Sequence, residues 1–143
     1  MSGIKDYFEN ILKNAELLIQ RNELKQAAIK HYEFMKQMIK FLTRKYAPDI
    51  YEKAMKYGNW SYWKKEDRYG LDAAYQAIRK SMENSGLERL SESLALAWKS
   101  ALELQREEFY VSFLFLEEET IEEDIENIRR FWERIKNMLC DEE

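Results

Sequence analysis

One histidine, one cysteine, one proline and four glycines occur in 143 residues. A single imidazole removes most nucleophile–base pairs and every metal site built from several histidines. The lone Cys140 can form no disulfide within the chain, which suits a reducing compartment and gives a cytoplasmic expectation. Glycine is too sparse for a phosphate-cradling loop, and no P-loop, G-x-G-x-x-G or G-x-S-x-G motif is present. So few turn residues also argue against a sheet. No apolar run approaches the roughly 18 residues of a membrane span. The start, MSGIKDYFEN, has no basic region followed by an apolar core, so no signal peptide is read. Net charge is −4, which supplies no bulk attraction to nucleic acid or to an anionic membrane.

What is present is helical periodicity. Apolar residues make up 45% and charged residues 35% of the chain, the balance of one solvated globular domain spanning 1–143. Ile4, Phe8, Ile11, Leu12, Ala15, Leu18 and Ile19 fall at steps of three and four. Leu24, Ala28, His31, Met35, Met38 and Leu42 repeat the pattern after a turn at Arg21-Asn22, with Asn22 expected to cap the second helix. So short a link predicts an αα-hairpin. Pro48 is expected to stop that helix and Asp49 to cap a short one. A further helix is expected over 71–82, closed by Asn84-Ser85-Gly86 with Gly86 in the left-handed region. Leu90, Leu94, Ala97, Trp98, Ala101 and Leu104 form the next inward stripe. The run Tyr110–Leu116 is read as helix or helix end, because an isolated strand would leave backbone groups unpaired. Thr120-Ile121-Glu122-Glu123 reads as a capping box for a last helix carrying Ile121, Ile125, Ile128, Trp132, Ile135 and Leu139. The expected fold is all-α, an antiparallel bundle of about five or six helices.

Three groups of residues invite a functional reading. His31 sits on an apolar face, where a buried neutral histidine bonded across a helix seam is favoured over a base or ligand. No Glu precedes it by three, and the residue there is Ala28. The acidic run Glu117, Glu118, Glu119, Glu122, Glu123, Asp124 and Glu126 is expected to be a solvated turn facing a helix N-terminus. The stretch holding Trp60, Trp63, Lys64, Lys65 and Arg68 interleaves aromatic with basic side chains. Aromatic faces stack bases and cations hold phosphates, so it is the candidate nucleic-acid or partner-binding site. Packing or a subunit contact is the plainer reading of the same aromatics. No catalytic residue, metal ligand or cofactor is assigned.

The first hairpin looks like a single tetratricopeptide unit, but nothing repeats at the period of about 34 residues that such arrays require. The better match uses that hairpin, then Gly58-x-Trp60, then Trp98-x-x-Ala101-x-x-Leu104-Gln105-x-x-x-Phe109, the acidic turn and the final amphipathic helix. From about Tyr7 to Leu139 this order resembles the first numbered group of the PaREP family of archaeal helical proteins, which is related to HEPN domains. The resemblance implies a HEPN-like bundle, often dimeric. Some HEPN relatives are metal-independent ribonucleases with an Arg and a His separated by four to six residues, and others are inactive partners of small nucleotidyltransferases. Here positions 24–26 before His31 are Leu24, Lys25 and Gln26, and Gln105 stands where the family often carries His. The ribonuclease pair is therefore absent from this chain.

The expectation is a non-catalytic helical binding or assembly module, homodimeric because the apolar stripes, Tyr110–Leu116 and four tryptophans are generous for one core. A protein partner fits the same reading. The alternative is a degenerate HEPN-like protein that binds or cleaves RNA, or binds a nucleotide, through Lys64, Arg68 or His31.

Overall fold

The computed structural model describes residues 3–57, 70–109 and 118–139. These residues form six α-helices: α1 (Gly3–Gln20), α2 (Leu24–Tyr46), α3 (Pro48–Tyr57), α4 (Leu71–Asn84), α5 (Glu88–Phe109) and α6 (Glu118–Leu139). No strand occurs among the described residues, so the fold is all-α as expected. The Tyr110–Leu116 run lies outside them.

The helix ends show which residues set each link. Asn22 takes φ 62° and Gly86 takes φ 78°, both in the left-handed region. The Glu23 amide bonds the Leu18 carbonyl at 2.9 Å and the Asn22 amide bonds that of Ile19 at 2.9 Å. The Leu87 amide bonds Met82 at 2.8 Å and the Gly86 amide bonds Glu83 at 3.2 Å. Both are Schellman closures, in which a left-handed residue turns the chain so that the last helical carbonyls find donors. Asn22 therefore ends α1 rather than capping α2, and the Glu23 carbonyl accepts the first bond of α2 from Ala27. Pro48 does not merely stop α2. It is the first residue of α3, where its missing N–H has no partner to lose, and Ala47 takes the capping position. Likewise α6 begins two residues before Thr120, so Thr120 lies within the helix instead of capping it.

The chain divides into two compact units, Met1–Met35 with Ser93–Glu143, and Lys36–Glu92. In the first, α1 packs on α6 and the early turns of α2 supply Ala27, Ala28, Phe34 and Met35 to the interior. Three rings meet there. Phe8 of α1 stands edge-on to Phe34 of α2 at 5.5 Å, Phe34 edge-on to Trp132 of α6 at 5.7 Å, and Phe8 lies 6.0 Å from Trp132. Phe8 meets Trp132 while Leu12 and Glu16 meet Arg129, so α1 and α6 run antiparallel. Tyr32 stacks near-parallel on Trp98 of α5 at 6.5 Å. Edge and offset geometries suit the ring quadrupole.

In the second unit α3 packs on α4. Ala54 of α3 and Ala73 and Ala74 of α4 are buried, as are Met38, Ile39 and Leu42 from the later turns of α2. The Thr43 hydroxyl donates back to the Ile39 carbonyl, which satisfies it inside the helix. Arg79 Nε donates to buried Ser91 Oγ at 2.9 Å, and Ser91 Oγ donates to Glu83 at 3.4 Å. Those bonds fasten the first turn of α5 to α4.

Trp98 is 3% exposed, as its stripe predicts. Trp98→Ala should cost roughly 3–5 kcal/mol in urea unfolding, as for other large-to-small core changes. A loss below about 1 kcal/mol would instead mark a surface position. No atom stands within 4 Å of a Cβ added at Gly86. Gly86→Ala should therefore cost only the left-handed backbone penalty, about 1–2 kcal/mol.

Candidate functional site

Trp60, Trp63, Lys64, Lys65 and Arg68 all lie outside the described residues. What the structure does bring together is a set of ionisable side chains inside the unit built from α1, early α2, α5 and α6.

His31 is fully buried. Its position three residues before Phe34 carries it into the interior along with that ring. Nδ1 lies 2.7 Å from the Ala27 carbonyl of its own helix. The bond runs back along α2 instead of across a seam. Burial pushes the imidazole down to about 4, the Ala27 bond works the other way, and the nearby Arg129 guanidinium adds to the drop. The ring is therefore neutral at physiological pH.

Arg129 comes from α6 and reaches α1. Its Nη2 donates to the Leu12 carbonyl at 3.2 Å and pairs with Glu16 at 3.1 Å. Beside it on α6 is an open groove of about 340 Å³, lined by Glu126, Arg129, Arg130, Glu133 and Arg134. Arg130 pairs with Glu126 at 3.2 Å, and Lys136 pairs with Glu133 at 2.7 Å. These pairs leave the groove with mixed charge and no strong sign.

Asp124 is the residue that sequence reasoning missed. It belongs to the acidic run read as a solvated turn, yet it is only 7% exposed. It hydrogen-bonds Glu103 and Ser100 of α5, and the Asn127 amide donates to Ser100 Oγ at 3.0 Å. Two carboxyl groups can share a hydrogen bond only if one keeps its proton. Burial, the Glu103 bond and the Glu103 charge raise Asp124 to about 7, with the Ser100 hydroxyl opposing and Glu123 adding to the rise. The signal was available in the stripe itself: 124 sits three after Ile121 and four before Ile128, on the inward side.

Chemically, Asp124 can hold or release one proton near neutrality, and a neutral imidazole lies elsewhere in the same unit. Among the described residues no group of three or more His, Cys, Asp or Glu side chains is arranged to hold a metal ion. No described helix is long and apolar enough to cross a membrane.

The family model of the archaeal PaREP1/PaREP8 family matches residues 5–132. No curated protein and no solved structure matches the chain.

The two buried groups titrate with opposite sign. His31 falls from its ordinary 6.5 to about 4, so the unfolded chain takes its proton first. Its contribution to stability is full above 6.5 and is lost as pH falls towards about 4. Asp124 rises from 3.8 to about 7, so the folded chain holds the extra proton. Its contribution is full below 3.8 and is lost as pH climbs towards about 7. In urea unfolding across this range, Asp124→Asn should therefore gain stability relative to the parent as pH rises. His31→Gln should lose the decline on the acid side. A parent-like slope in Asp124→Asn would mean that the carboxyl is ionised throughout.

Proposed function

We propose that this chain, which belongs to the archaeal PaREP1/PaREP8 family, is a non-catalytic helical binding or assembly module that acts as a homodimer. The observation that carries the non-catalytic reading is the burial of His31. A general base must come within hydrogen-bond reach of a substrate proton. This imidazole is sealed beneath the helices, bonded to its own backbone and flanked by a guanidinium that opposes its protonation.

The homodimer rests on where the apolar residues fall. The described helices turn their stripes inward, and the large apolar side chains they expose are scattered, with Tyr7 and Leu17 on α1 ten residues apart and Leu96 and Leu102 on α5 six apart. Tyr110–Leu116 and the aromatics around Trp60 and Trp63 are the two densest apolar stretches outside those helices. Those stretches are the proposed contact regions for a second copy or a protein partner, with Lys64, Lys65 and Arg68 supplying charge.

Sedimentation velocity of the purified chain at micromolar concentration should give a dimer mass, and monomer alone would overturn the assembly reading. Labelled RNA incubated with the protein should stay intact. Cleavage that disappears in His31→Gln would establish the degenerate ribonuclease instead. RNA retained by the parent and released by Trp63→Ala with Lys64→Ala would make the ligand a nucleic acid.

A further inference from the structure

We infer that one ordered water sits inside the α1–α2–α6 packing, bridging Nε2 of His31 to Nε of Arg129. Both atoms are buried, and neither has a hydrogen-bond partner in the protein. Their roles follow from the bonds their neighbours make. A carbonyl oxygen can only accept, so the contact with Ala27 places the imidazole proton on Nδ1. Nε2 is left as a bare acceptor. Arg129 spends Nη2 on the Leu12 carbonyl and Glu16, which leaves its Nε–H as a buried donor without a partner.

A bare acceptor and a free donor are complementary, yet they make no direct bond. Phe34 and Trp132 meet at 5.7 Å, and His31 and Arg129 each lie three residues before one of those rings, so the two side chains occupy facing turns of α2 and α6. The bridging species must accept one hydrogen bond and donate another. A metal cation is repelled by the guanidinium and donates nothing. A halide accepts from Nε–H but brings no proton to a neutral Nε2. Water does both, and buried polar groups without a protein partner are the usual hosts of internal water. The bridge would join α2 to α6. It would also explain why a guanidinium and an imidazole tolerate each other in the interior, since the water's dipole faces both correctly.

The test is a high-resolution crystal structure of the full chain at neutral pH, with imidazole ¹⁵N NMR of His31 on the same protein. The expected result is a solvent peak within about 3 Å of both nitrogens, with Nδ1 protonated and Nε2 accepting a hydrogen bond. Water relaxation dispersion should show a long-lived internal water that is lost in Arg129→Met and in His31→Leu. If either variant fails to fold, the density and the NMR of the parent still decide. Direct contact between Nε and Nε2 would overturn the bridge. So would an anion-strength peak beside a doubly protonated ring, or an interior with neither density nor a long-lived water.

Discussion

Three aromatic rings set the register of everything else in their unit. Phe8, Phe34 and Trp132 come from α1, α2 and α6 and meet at centroid separations of 5.5 to 6.0 Å. Bulky rings locked edge to face admit few alternative slides of one helix on another. Once Trp132 is seated against Phe8, the residue three before it, Arg129, must lie beside Leu12 and Glu16 on antiparallel α1. Once Phe34 is seated, His31 one turn earlier enters the same interior. The polar groups inside the core are thus consequences of the aromatic junction, placed by helical spacing.

Desolvation acts alike on both buried ionisable groups, favouring the neutral form of each. Neutrality means opposite things for them. The imidazole becomes neutral by lacking a proton, and the carboxyl by keeping one. Between about 4 and 6.5 the folded unit is therefore one proton short at His31 and one proton long at Asp124. The two differences nearly cancel in total proton uptake, so the intact protein conceals how far each site departs from its ordinary behaviour.

The fold was legible where it depended on apolar periodicity. The stripes of α1, α2, α5 and α6 were visible, as was the left-handed Gly86. The details that escaped are those decided by a choice between adjacent caps. Asn22 can end one helix or begin the next, and only the bonds from Asn22 and Glu23 back to α1 settle which. Pro48 can follow a helix or open one. Asp124 was hidden for a different reason: six glutamates stand beside it in the same run, and a single carboxyl gains its meaning only when Glu103 and Ser100 arrive from α5. His31 was placed correctly in the core, but the partner of its Nδ1 was local instead of across the interface.

The two compact units meet the chain at Met35–Lys36 and Glu92–Ser93, and both points fall inside uninterrupted helices, α2 and α5. Modular proteins are ordinarily divided at exposed linkers, where few bonds cross. Here a cut at either boundary would sever a helix between hydrogen-bonded turns, leaving carbonyls and amides on both sides without partners. Neither unit can be lifted out as an independent cassette. Recombination and limited digestion should spare these positions, and the natural places to insert or trim are the links at Asn22 and Gly86, where the backbone has already turned.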